Sequence, residues 1–141
     1  MNFSDTEAAL VKKLTDYATG LQVPTDNIVV GKIGEIPAMA SPFIAIYTAP
    51  YAGKKYESGM VEGAMDTTIL CSASAEVSDV QAHKSSAILL TSRILNLLTA
   101  FRGFELKSID IFSISMEDCK IALEGLFWGV DYYEDLYTEE D

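Results

Sequence analysis

The sequence predicts an α+β domain in which a mostly antiparallel sheet of five strands packs against two helices, in the order α-β-β-β-α-β-β. Three observations carry this. Two segments open on Ser-x-x-Glu/Gln patterns and continue with apolar residues three and four apart, the signature of amphipathic helices. Five runs are β-branched and aromatic, several with period two. The strands follow one another through turn-rich connections, which favours hairpins and helices on one face. A chain of 141 residues with 49% hydrophobic content is long enough for one such domain. We place it at residues 1–135, with 136–141 as an acidic C-terminal tail.

Helix one is expected at residues 5–19. Ser4 and Glu7 have capping-box spacing, Leu10, Leu14 and Tyr17 form an apolar stripe, and Gly20 supplies a stop. Strands follow at 27–33 (NIVVGKI) and 43–48 (FIAIYT), separated by GEIPAMASP, whose two prolines interrupt any ladder. Residues 49–64 (APYAGKKYESGMVEGA) carry three glycines and a proline and read as the longest loop of the domain. A period-two strand is expected at 66–75, with Cys71 on its core face.

Helix two is expected at 79–101, opened by Ser78 and Gln81 and stopped by Gly103. In the next strand, 106–116, Ile109 and Ile111 share one parity and Phe112, Ile114 and Met116 the other. A bulge near Ile111–Phe112 accounts for that slip. Glu117–Lys120 forms the turn, and residues 121–133 the last strand.

Charge is unevenly placed. The net is −11, yet residues 1–104 hold ten acids and eight bases, whereas residues 105–141 hold eleven acids and two bases. Such a chain lacks the clustered cations that grip phosphate backbones. The opening MNFSDTEAAL has acids where a signal peptide has bases, and no apolar run approaches a membrane span, so a cytosolic protein is expected. Cys71 and Cys119 are isolated cysteines and form neither a disulfide framework nor a zinc cluster.

Motifs for chemistry are missing. His83 is the single histidine, without a partner at metal-ligand spacing, and reads as a surface residue. No serine stands in G-x-S-x-G, and neither GKIGEIP nor GKK has the glycine spacing of a phosphate cradle. Glu117–Asp118 lacks calcium-loop spacing. No catalytic residue, cofactor or metal is assigned, and the expectation is a protein that is not an enzyme. What stands out is the loop with Tyr51, Lys54, Lys55 and Tyr56, suited to an intermolecular contact, and the aromatic last strand. Phe127 and Trp128 are expected in the core. The lysine-bearing loop and the acidic C-terminal region on one chain suit a head-to-tail contact between copies, which can close into a ring.

The run SPFIAIYTAPYAGKKY, followed by DTTILCSASA, by SDVQAHKSSAILLTSRILNLLTAFRGFEL and by SISMEDCKIALEGLFWGVDYY, resembles the Mu-like phage tail proteins and, more broadly, tail terminator (tail-completion) proteins. The resemblance spans residues 4–135 as an order of elements and a hydrophobic texture. It implies a structural subunit of a phage, prophage or phage-derived particle. Such a subunit forms a ring, commonly hexameric, that caps the tail tube and joins it to the head connector. The implied partners are further copies of the chain, a tail-tube protein and a connector or neck protein, first in the cytoplasm of a bacterial host and then in the virion tail. DNA would pass through the ring without specific binding. On this view Tyr51, Lys54, Lys55 and Tyr56 touch a neighbouring subunit or the tube, and Glu117, Asp118 and Glu124 face the channel, where negative charge repels phosphates. The alternatives are a head-tail connector of the same particle and a small-ligand-binding α+β module.

Overall fold

A computed structural model describes residues 2–32, 34–55 and 61–130, with the backbone alone at 52–55, 61 and 62. Its elements are α1 (Phe3–Asp16), α2 (Ala18–Leu21), a 3-10 turn (Thr25–Asn27), β1 (Ile28–Val30), β2 (Phe43–Lys55), β3 (Val61–Ala73), α3 (Val80–Leu98), β4 (Phe104–Ile114) and β5 (Cys119–Trp128). The expected α+β class holds: five strands form one sheet, ordered β1-β2-β3-β5-β4, with the helices on one face. The tail at 136–141 lies outside the described residues, as do Tyr132 and Tyr133 of the expected last strand.

Both helix starts differ from expectation. Asn2, not Ser4, caps α1: its side chain accepts from the Asp5 N–H at 2.8 Å, and Thr6 Oγ1 donates to the Asn2 carbonyl. Glu7 is thereby freed from capping and its carboxylate accepts from Thr48 Oγ1 of β2, tying helix to sheet. The helical stretch ends past Gly20, at Gln22 in the left-handed region (φ 61°). Asp79 caps α3 through the Gln81 N–H, while Ser78 Oγ donates to the Met116 carbonyl.

The core lies between helices and sheet. Leu10 and Leu14 of α1 and Ala87, Leu90, Ile94 and Leu98 of α3 pack on Ile44, Ile46, Met65, Ile69, Cys71, Leu123 and Phe127. Each fully buried Leu or Ile contributes about 1.5–3 kcal/mol of transfer free energy. His83 belongs to this layer, contrary to the surface position read from the sequence. It is 2% exposed, its Nδ1 accepts from the Ala75 N–H (2.8 Å) and its Nε2 donates to the Met116 carbonyl (3.0 Å). Phe127 is buried as expected; Trp128 is half-buried.

Three of the four strand pairings are antiparallel, and β1 departs from the rest by running parallel to β2, with Ile28, Val29 and Val30 opposite Ile44, Ala45 and Ile46. A parallel neighbour needs a crossover, and residues 31–42 supply it on the face away from the helices. There Met39 packs on Phe43, Ala45, Tyr47 and Leu70, and Tyr47 Oη donates to the Glu35 carbonyl.

The expected loop at 49–64 is mostly strand. Ala49, Pro50, Tyr51 and Ala52 pair with Asp66, Met65, Ala64 and Gly63, and Lys55 pairs with Val61. Since β5 runs alongside β3 only as far as Ala64 and β1 covers β2 only at residues 44–46, the end of this hairpin projects beyond the sheet as a two-stranded ribbon. Strand β4 carries the expected bulge between Ile111 and Ser113 and a second between Leu106 and Ser108.

Candidate functional site

Helices cover one face of the sheet; among the described residues the other is open except under the connection between β1 and β2. Because residues directly opposite across an antiparallel ladder share a face, the registers define the rows of this open face. Phe43, Ser72, Lys120 and Ser113 form one row, Ala45, Leu70, Ala122 and Asp110 the next. Tyr47, Thr68, Glu124 and Ser108 follow, then Ala49, Asp66, Leu126 and Glu105, and last Tyr51, Ala64 and Trp128. Four carboxylates, Asp66, Glu105, Asp110 and Glu124, therefore lie on one sheet face.

The one base in these rows is Lys120, and its charge is already taken. Lys120 Nζ donates to both oxygens of Asp118 at 3.0 and 3.1 Å, and Ser41 Oγ and Ser72 Oγ donate to Asp118 Oδ2 at 3.0 and 3.4 Å. Burial raises the Asp118 pKa, but the hydrogen bonds from Lys120, Ser41 and Ser72 and the Lys120 charge outweigh it, and the carboxyl is held below its ordinary value. This cluster joins the Ser41–Pro42 corner to β3 and β5. Its hydroxyls and ammonium converge on one carboxylate, so the cluster ties three segments of the chain together.

The sequence-predicted contact residues fall at the projecting end. Tyr51 is exposed and meets the Trp128 ring edge-on, with centroids 5.7 Å apart, and Trp128 Nε1 donates to Glu105 Oε1 at 2.8 Å. Lys54 and Lys55 lie in the ribbon strand of β2, but their side chains, and all of Tyr56, lie outside the description. The three candidate channel acids separate. Glu124 is half-buried on the open face, Glu117 is exposed in the β4–β5 turn, and Asp118 is neutralised by Lys120.

Glu105, Asp110 and Asp66 escaped sequence reading. Two bulges in β4 reset its parity twice, so alternation along 104–114 does not show which residues share a face with Glu124. The slip at Ile111–Phe112 signals one of them; the other, at Lys107, is marked by no Gly or Pro.

Beneath residues 34–36 the open face holds a groove of about 250 Å³ lined chiefly by Ile36, Tyr47, Thr68, Leu70, Phe112 and Ala122. Its phenol, Tyr47, already donates to Glu35, and burial, with the Glu35 charge adding to it, raises the phenol pKa. The groove is lined mainly by apolar side chains. Among the described residues, no three His, Cys, Asp or Glu side chains are grouped to hold a metal ion, and no helix is long and apolar enough to cross a membrane.

No protein-family model matches this chain, and no curated protein is similar enough to count as a relative.

Proposed function

We propose that the protein is a structural, non-catalytic subunit of a phage, prophage or phage-derived tail. In this reading it forms a ring, a hexamer in the form expected from the resemblance, which caps the tail tube and joins it to the head connector. The observation that carries the reading is the β2–β3 ribbon, which projects past β5 with Tyr51 at its base. A ribbon paired only with itself supplies an arm to a neighbouring subunit or to the tail tube. The acidic open face supports the second half of the reading. Glu105, Asp110 and Glu124 give a strongly negative surface without free cations in its rows, compatible with DNA passing unbound. On this reading Glu124 faces the channel, whereas Asp118, ion-paired with Lys120, adds little to its negative charge.

The test is assembly. Replacing residues 53–62 by an Asn-Gly turn keeps the Ala52–Gly63 pair and removes the arm. Light scattering and negative-stain imaging of the full chain mixed with a tail-tube protein should show rings capping the tubes for wild type. The shortened variant should give none while keeping its circular dichroism. Rings that survive the shortening overturn the role of the arm; wild type that neither forms rings nor binds tubes overturns the reading. The groove beneath residues 34–36 favours a second reading, a small-ligand-binding module, which predicts thermal shifts with small apolar ligands and no assembly.

A further inference from the structure

Strand β4 is the outer strand of the sheet beyond β5, eleven residues long, and its side chains remain largely uncovered. The residues opposite the core-facing positions of β5 are Phe104, Leu106, Ile109, Ile111 and Ile114. They lie on the helix side of the sheet, but the helices stop short of them: Leu106, Ile109, Ile111 and Ile114 are 40–47% exposed. Four large apolar residues in one row beside an open strand edge make an interaction surface.

We infer that this edge pairs with β4 of a second copy, antiparallel about a two-fold axis at Ile109. The argument for a second copy is self-complementarity. With the bulged residues Lys107 and Phe112 set aside, a register centred on Ile109 places each residue opposite one on the same face. Phe104 then faces Ile114 of the other copy, Leu106 faces Ile111, and Ile109 faces itself, so that the two apolar rows fuse. On the open face Glu105 meets Ser113 and Asp110 meets Ser108. No acid opposes an acid, and Lys107, adjacent to Ser108 in the chain, lies beside Asp110 of the other copy. Other registers fare worse: an axis at Asp110 sets two carboxylates against each other.

The other strand edges are unsuited. β1 has three residues, and beyond it the β2 edge contains Pro50, which offers no N–H. Residues 131–141 are a poor occupant, since their six acids and no bases would meet a strand that itself carries two acids and one base. The pairing does not use the β2–β3 ribbon, so it stands independently of the ring reading.

The experiment is sedimentation of the full chain across about 1–100 µM, with two variants. Wild type should reach twice the chain mass. Ile109→Arg combined with Ile111→Arg should remain at the chain mass with unchanged circular dichroism, because both positions are solvent-exposed in the single chain. Ile109→Cys should give a disulfide-linked dimer on mild oxidation, since the axis brings the two copies of residue 109 together, while Cys71 and Cys119 are buried. Wild type that stays at the chain mass overturns the inference, as does a dimer that persists with the paired arginines or an Ile109→Cys protein that does not cross-link. The ribbon-shortened chain should still dimerise. Loss of its dimer together with its rings would assign both to the ribbon and overturn the β4 pairing alone.

Discussion

Replacing His83 measures what a buried imidazole contributes as a bridge between backbone groups. Its ring is 2% exposed and bridges two backbone groups from different segments: the Ala75 N–H, just after β3, and the Met116 carbonyl, between β4 and β5. His83→Leu keeps much of the volume but leaves both groups without their partner. Each bridges at the margin of the core, where water reaches part of the way, so each loss costs about 1 kcal/mol, together about 2 kcal/mol. His83→Ala adds a cavity among α3, β3 and β5 and should cost about 3–4 kcal/mol. In urea unfolding at pH 7 the midpoints should fall in that order with unchanged slope, and melting temperatures should fall by about 4 °C per kcal/mol. A His83→Leu protein within about 0.5 kcal/mol of wild type would refute the reasoning. It would mean that water replaces the ring at both groups and that this histidine is spacer, not bridge.

Further outcomes follow from the same geometry. The folded-state pKa of Asp118 is depressed, so its contribution is fully present above the unfolded carboxylate value near 3.9 and is lost as pH falls through the lower folded value. Urea titrations should therefore show wild type losing its advantage over Asp118→Asn on acidification below about pH 4, with a pH-independent gap refuting the assignment. Burial pushes the Cys71 thiol up to about 12 against a small opposing hydrogen bond from Thr91, and burial and the Asp118 charge raise Cys119. Neither should react with an aromatic disulfide reagent at pH 8 until the protein opens, and rapid labelling of the native chain would contradict that. At Gly103, with φ +85°, an added Cβ would lie 2.6 Å from the Trp128 carbonyl oxygen, so Gly103→Ala should cost about 3 kcal/mol by urea unfolding. At Gly125 the Cβ would strike Phe104 at 2.6 Å, whereas at Gly20 it meets nothing within 4 Å. Gly125→Ala should thus destabilise by about 1–3 kcal/mol, whereas Gly20→Ala, inside α2, should stabilise by about 0.4–1 kcal/mol. Charge reversal of Asp110 and Glu124 to Lys should create salt-sensitive binding to duplex DNA in gel-shift assays. No binding by the doubly reversed protein would show that the acids are not what keeps DNA off this face.

What the sequence made legible was periodicity, and what it hid was phase. The α3 stripe through Ala87, Leu90, Ile94 and Leu98 is readable because a helix repeats its face every three to four residues over five turns, and all four are buried. The same reading missed His83, which lies on that stripe four residues before Ala87; a polar residue in phase with core positions is the signal that could have placed it. The loop expectation at 49–64 failed because glycines and a proline mark turns only when nothing pairs with them. Here β3 matches β2 residue by residue from Phe43 to Ala52, and Pro50 is tolerated because no strand among the described residues lies on its other side. The parallel direction of β1 was hidden for another reason: three residues carry no directional pattern, and only the crossover of residues 31–42 sets it.

The acidic face and the apolar row of β4 are two products of one local device. A strand with strict alternation from Phe104 would put Leu106, Ser108, Asp110 and Phe112 on the helix side and Glu105, Lys107, Ile109 and Ile111 on the open side. An acid would then face the core and two isoleucines would share a face with Glu124. Skipping one residue at Lys107 exchanges these sets from Ser108 onward, sending Ile109 and Ile111 to the helix side and Asp110 to the open face; the second skip, at Phe112, does the same for Ile114. Charge and grease on this strand are thus separated by the bulges, not by the order of residues. It follows that the two proposed roles of β4 are coupled through its backbone. Deleting Lys107 removes the skip together with the skipped residue: Leu106 is then followed directly by Ser108, alternation is regular, and Ile109 and Ile111 stay on the helix side with Asp110 on the open face. Such a variant should therefore dimerise and keep DNA off as wild type does. Loss of either property would show that the bulged backbone itself, and not only the sorting of side chains, is required.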